Sequence, residues 1–168
     1  YHPLFREFLQ TRLKEERPQE VRPILERMVK AYEKLGEWEK AYYTCRQLND
    51  PEALADVIEK AGVPMLQNAL VTLEGWINSL PPSIVQSRPG LISLRGPILA
   101  IKGDLQGSRE LLDAAISLYR KGQNIPGLVP ALIRRANTLR FMGNYDASLE
   151  NVNEALQLAG RDASLQYY

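Results

Sequence analysis

Apolar residues recur three and four positions apart along almost the whole chain, and no stretch alternates with a period of two. That pattern belongs to amphipathic helices rather than half-buried strands. Leu4, Phe5, Phe8, Leu9 and Leu13 mark a leading helix that Pro18 interrupts. Ile24, Leu25, Met28, Val29, Tyr32 and Leu35 mark a second, which Gly36 stops. Punctuation continues at Gly62, Pro81–Pro82, Pro89–Gly90, Gly103, Gly122, Pro126, Gly143 and Gly160. The segments between these marks run to about 10–18 residues, an ordinary helix length. The prediction is an all-α protein of about ten or eleven helices.

Three segments align without gaps: LGEWEKAYYTCRQL (35–48), KGDLQGSRELLDAA (102–115) and MGNYDASLENVNEA (142–155). Each opens with a glycine (Gly36, Gly103, Gly143) followed two residues later by an apolar side chain (Trp38, Leu105, Tyr145). A small residue stands five after the glycine (Ala41, Ser108, Ser148), and Cys45, Leu112 and Val152 stand nine after it. This is the pattern of a helical hairpin. Glycine takes the left-handed conformation that ends one helix, and the small residue lets two helix backbones approach. Trp38 and Tyr145 are expected to pack inside their hairpins. Stacked hairpins of this kind would form a right-handed superhelical solenoid with a concave face; an ordinary helical bundle is the alternative.

On this reading residues 1–17 are a leading helix that joins an upstream domain, and 18–168 are the solenoid. Its hairpins fall at approximately 19–48, 51–79, 89–121 and 126–159. The second is degenerate and is expected to turn at Gly62, while LPPSIVQSRPGL (80–91) reads as a linker or short helix. The chain begins at Tyr1 rather than Met, which predicts a piece of a longer protein.

Composition removes most chemistry. The 168 residues are 45% hydrophobic and 24% charged, with one cysteine and one histidine. Cys45 alone cannot form an internal disulfide or a thiolate-rich metal site, and it occupies a packing position of the repeat. His2 alone gives no multi-histidine site, and its place beside Pro3 at the chain start argues against a catalytic pair. The acidic pairs Glu15–Glu16 and Glu37–Glu39 fall where solvated faces are expected, and nothing builds the shaped pocket a general acid–base needs. The chain is therefore read as no enzyme, with no catalytic residue and no metal. No apolar run approaches the ~18 residues of a membrane span, so no membrane is expected. No phosphate-binding glycine loop of the G-x-x-x-x-G-K-[ST] type is present.

Charge is unevenly spread. Residues 75–145 carry nine basic and three acidic side chains, net +6, whereas 1–74 are net −2 and 146–168 net −3. The arginines either solubilise outer faces and pair with acids of neighbouring helices, or draw an anionic effector or an acidic partner. Aromatic platforms and a dense basic stripe are both missing, so no direct nucleic-acid contact is expected. The first helix of the last hairpin is placed at about VPALIRRANTLRFM (129–142). Leu132, Ala136 and Leu139 fit its buried stripe. Arg134, Asn137 and Phe141 share another face, with Arg140 at its side. A guanidinium, a carboxamide and a ring on one face suit a polar ligand or peptide, so Arg134, Asn137, Arg140 and Phe141 are the candidate binding residues. Trp76 is expected to anchor the degenerate hairpin. The Tyr42–Tyr43 pair must put at least one ring on a surface.

The glycine, the aromatic two later and the small residue five later resemble the signature positions of tetratricopeptide repeats. The opening YHPLFREFLQTRL (1–13) resembles the segment after the nucleotide-binding and winged-helix domains of MalT-like, LuxR-type ATP-dependent transcriptional regulators, and the stretch 70–115, with Trp76–Ile77–Leu80–Pro81 and Arg88–Pro89–Leu91, resembles that family's first sensor-solenoid repeats. That resemblance implies a cytoplasmic signal-transduction protein. Its solenoid would recognise a small-molecule inducer or a regulatory protein and would take part in self-association. ATP would bind only in an upstream domain, leaving no cofactor in this fragment, and a helix-turn-helix would lie downstream. The other reading is a free-standing tetratricopeptide-like scaffold that binds a peptide or protein in its concave groove.

Overall fold

The computed structural model describes residue 12 and residues 15–160. Most of the predicted leading helix over 1–17, His2 included, lies outside the described residues. Among those residues every regular element is an α-helix, and there are nine. The chain divides into two compact units, residues 1–57 and 58–168.

The first unit holds α1 (Pro18–Leu35), α2 (Trp38–Arg46) and the opening of α3 (Pro51–Asn68). Pro18 starts α1, where its missing N–H costs nothing because first-turn N–H groups have no helical partner. Ala41 and Cys45, the small and packing positions of the repeat, are fully buried. Tyr42 is buried while its neighbour Tyr43 is 57% exposed, so one ring of the pair does reach the surface. Asp50 caps the start of α3 by accepting the Ala53 N–H at 3.1 Å. Arg22 donates to the same carboxylate at 2.8 Å. Those two contacts, the backbone donor first, hold the Asp50 carboxyl below its usual range.

The second unit contains the rest of α3 and α4 (Leu70–Asn78), α5 (Pro82–Ser87), α6 (Pro89–Ile101), α7 (Leu105–Lys121), α8 (Ile125–Phe141) and α9 (Tyr145–Ala159). Sequence and structure part at Gly62. No turn forms there: α3 runs through both Gly62 and Pro64, and the chain breaks at Ala69 instead (φ −148°, ψ 48°). Gly62 serves packing, because a Cβ at this position would lie 2.5 Å from both δ-methyls of Leu94 on α6. Trp76 is buried on α4.

The last four helices are joined by one turn used three times. After α6, Gly103 (φ +91°) donates to Ala100 O and Asp104 donates to Leu99 O, both at 3.0 Å. After α8, Gly143 (φ +79°) donates to Arg140 O at 3.1 Å and Asn144 to Leu139 O at 2.9 Å. This is the paired bonding that satisfies the last carbonyls of a helix. The turn after α7 has the same bonds, from Gln123 to Arg120 O and from Asn124 to Tyr119 O, but its left-handed residue is Gln123 (φ +51°). Each turn then caps the next helix. Asp104 accepts the Gly107 N–H at 2.8 Å, Asn124 accepts Gly127 at 2.9 Å and Asn144 accepts Ala147 at 3.4 Å. The cap residues 104, 124 and 144 are evenly spaced, so the forty-residue repeat is two helix-plus-turn units of equal length.

These turns fold α6 to α9 back on one another. α7 packs against α6 and α8, and α8 packs against α6, α7 and α9. Ile92, Ala115, Ile116, Tyr119, Leu128, Val129, Leu132, Ala155 and Ala159 form their common core. A buried hydrogen bond between Ser108 and Thr138 (2.9 Å) fixes α7 against α8. Arg120 bridges α7 to Glu154 on α9 at 2.7 and 2.9 Å. α8 begins at Ile125, four residues before the predicted start at 129, because Asn124 caps it and Pro126 fits its first turn.

Tyr145 corrects another expectation. It is 69% exposed rather than packed in its hairpin. It opens α9 and heads a stripe in which Leu149 and Leu156 are also more than half exposed. The equivalent α7 positions are Leu105, Arg109 and Ile116, of which Ile116 is buried and the other two half-buried, because α7 lies between two helices. Trp38, in the corresponding place on α2, is half-buried.

Candidate functional site

A pocket of about 330 Å³ opens between α6 and α8 in the second unit. From α6 it is lined by Pro97, Ala100 and Ile101, and from α8 by Arg134, Asn137, Thr138, Arg140 and Phe141. All four residues singled out from the α8 sequence therefore meet in one cavity. Helical spacing brings Arg134, Asn137 and Phe141 to one face, while Leu132, Ala136 and Leu139 are buried on the other side of α8. That burial fixes the rotation of α8, and with it which residues face the pocket.

Three of the polar groups, Arg134, Thr138 and Arg140, have a definite anchorage. Arg134 donates from Nη1 to Ser93 Oγ at 2.8 Å, and Ser93 is fully buried on α6. The Thr138 hydroxyl donates to Arg134 O at 3.2 Å, so the Ser108 hydroxyl is the donor in their shared bond. The Arg140 guanidinium carbon lies 4.6 Å from the centre of the Phe141 ring, within the range of cation–π attraction. Phe141 is 61% exposed and Ile101 67% exposed, so the pocket has an apolar rim open to solvent. Its described lining holds two arginines and no carboxylate.

The α6 side of the pocket and Thr138 were not singled out from the sequence. Pro97, Ala100 and Ile101 stand forty positions before Asn137, Arg140 and Phe141. The wall thus pairs repeat-equivalent positions of successive hairpins, and extending the period to these residues was the available signal.

The excess positive charge is partly matched. Arg88 lies 3.9 Å from Glu59, Arg120 2.7 Å from Glu154 and Arg135 2.6 Å from Asp113, and Lys102 pairs with Glu74. Three of those acids (Glu59, Glu74, Glu154) lie outside the positive segment 75–145. Arg134 and Arg140 line the pocket. A second cavity of about 250 Å³ is lined by Ile77, Asn78, Leu80, Pro82, Val85, Gln86 and Arg95 and has a single charged group. Tyr119, at the end of α7, has its phenol pushed up to about 12, by burial first and the Glu59 charge second.

Cys45 is buried, in keeping with a packing role. No cluster of His, Cys, Asp and Glu able to hold a metal occurs among the described residues. No described helix is long and apolar enough to cross a membrane. No protein-family model, curated protein or solved structure matches the chain.

Proposed function

We propose that this chain is a non-catalytic helical-repeat sensor, the effector- or partner-binding part of a MalT-like transcriptional regulator. The observation that carries this reading is the pocket between α6 and α8, where repeat-equivalent positions face each other and Arg134, Asn137, Arg140 and Phe141 converge. Tetratricopeptide-like stacks use the groove between successive first helices for recognition, and α6 and α8 are the first helices of two successive hairpins. Contact of α8 with both α7 and α6, through identical turns, supports a right-handed superhelical solenoid. The uncovered stripe on α9 fits the same arrangement, being the face one hairpin offers to the next. In this reading the protein works in the cytoplasm, and ATP and DNA are handled by other domains. Occupancy of the pocket would alter the packing of α6 on α8, and with it the curvature passed to those domains.

The test is a thermal-shift screen of the chain against sugars, nucleotides and anionic metabolites in concentration series. A ligand bound only to the folded state at 100-fold over its Kd adds about 2.7 kcal/mol. Replacing Arg134 and Asn137 by Ala should abolish the shift while leaving the unliganded melt within a few degrees. A shift that survives this double replacement removes the site. The exposed rings and chains at the rim, Phe141 and Ile101, favour a second reading, a scaffold for an extended peptide. Capture of an acidic peptide, with no small-molecule shift, would select it.

A further inference from the structure

We infer that the cleft between α4, α5 and α6 is a second binding site, which takes a small organic carboxylate with a short apolar body. It is the cavity of about 250 Å³ in which Arg95 is the one charged lining residue. At 3.6 residues per turn Arg95 lies about 120–160° around α6 from Pro97, Ala100 and Ile101, which wall the α6–α8 pocket. The two sites share a helix and no residue, so this one stands or falls apart from the sensor reading above. Arg95 is half-buried, yet no hydrogen bond or ion pair holds its guanidinium among the described residues. Glu74 lines only an adjoining cavity of about 40 Å³, which Arg95 also lines, and its carboxylate is bonded to Lys102. Two cations thus meet one carboxylate, and the charge of Arg95 is left for a ligand.

Three features of the cleft set the ligand's chemistry. One guanidinium presents a planar fork of donors that matches one carboxylate edge. The floor is apolar, since the buried side chains Ile77, Leu80 and Val85 line it. The mouth carries the carboxamides of Asn78 and Gln86, each a donor and an acceptor, and neither side chain is hydrogen-bonded among the described residues. Inorganic phosphate would meet the arginine and leave the floor wet. A neutral molecule would cover the floor and take the guanidinium out of water with no opposite charge in return. A carboxylate on an apolar body satisfies both, and a keto or hydroxyl oxygen beside it would give the carboxamides a partner. The volume falls just under the roughly 300 Å³ at which drug-sized pockets begin, which limits the body to a few carbons.

The experiment is an NMR titration of the full-length, isotope-labelled 168-residue chain. The probes are 4-methyl-2-oxopentanoate, its neutral counterpart 4-methyl-2-pentanone, pyruvate and inorganic phosphate, at constant ionic strength. The branched oxo acid should shift the amides of 77–80, 83–87 and 95 saturably, with the Arg95 Nε–H signal among them. It should bind about tenfold more tightly than the ketone, the worth of one charge-assisted contact. Pyruvate keeps the head and loses the body, and should bind about tenfold more weakly than the branched acid. Arg95→Gln should remove the advantage over the ketone, and Arg95→Lys, with the charge but no fork, should keep only part of it. Equal affinity for acid and ketone, or an undiminished advantage in a folded Arg95→Gln chain, would overturn the assignment. Phosphate binding as tightly as the branched acid would also overturn it, leaving an adventitious ion only. Shifts confined to 97–101 and 134–141 would overturn it while supporting the α6–α8 pocket. If no probe moves the 77–87 amides in a folded chain, the cleft is no ligand site.

Discussion

Gly127 is the position where one added carbon should do most damage. It sits in the first turn of α8, three residues after its cap Asn124. A Cβ built there would lie 2.1 Å from Tyr119 Cε1 and 2.6 Å from both Cδ1 and Cζ. Ordinary carbon contacts begin near 3.5 Å, so the ring or the start of α8 must move by more than an ångström. Tyr119 is 8% exposed and belongs to the core shared by α6 to α9, which leaves the ring little room. Overpacking of this kind costs about 1–3 kcal/mol. Alanine recovers roughly 0.5–1 kcal/mol of that through its better helix propensity. The expected net loss for Gly127→Ala is about 1–2 kcal/mol, a fall in Tm of roughly 2–8 °C for a chain of this size. Paired melts of Gly127→Ala, Tyr119→Leu and the double variant isolate the contact, because removing the ring makes space for the methyl. The double variant should be more stable than the two single losses predict, by about 1 kcal/mol. Strict additivity, or a Gly127→Ala chain as stable as the parent, would refute the close approach of α8 to Tyr119.

Three further outcomes follow from other contacts. Gln123→Gly should raise stability by about 0.5–1 kcal/mol in denaturant titration, since it relieves the left-handed backbone of a non-glycine residue at an exposed turn. Tyr119 keeps its proton in the fold up to about 12, above the ordinary phenol value of 10.0. The folded state therefore holds a proton that the unfolded chain releases first, and stability should fall as pH rises from about 10 toward about 12. Melts across that range should show the slope in the parent and a smaller one in Tyr119→Phe. Leu149→Glu combined with Leu156→Glu should abolish any concentration-dependent association seen by sedimentation while leaving the melt nearly unchanged, because both side chains are exposed.

The helices of this chain are legible in its sequence where a local signal is strong and unshared. Gly103 and Gly143 could be read as helix ends because only glycine takes their backbone angles cheaply. The matching end after α7 is marked in the sequence by Gly122, whereas its left-handed residue is Gln123, whose side chain conceals that geometry. Gly62 misled in the opposite direction. Its residue type is right for a turn, but the reason for it lies on another helix, in Leu94, which no local reading supplies. The candidate binding residues were found by periodicity on α8, since a helix face is a one-dimensional pattern. Pro97, Ala100 and Ile101 complete the pocket from α6 and carry no chemistry that would mark them individually. Tyr145 has the signature of a packed residue and is exposed, because burial there depends on a neighbour on the outer side of α9.

The equal spacing of the caps at 104, 124 and 144 has a consequence for how such a chain can change length. One residue added inside a helix rotates everything after it by about 100°, carrying Leu132 or Ala155 out of the core. Loss of a single helix reverses the direction of all that follows. Only a whole pair of helices can be gained or lost with every face kept in register. Because Ile101 and Phe141 are equivalent residues on opposite walls, a duplicated pair would bring a second cavity beside the first. Selectivity could then be altered in one compartment of the row while its neighbour stayed as it was.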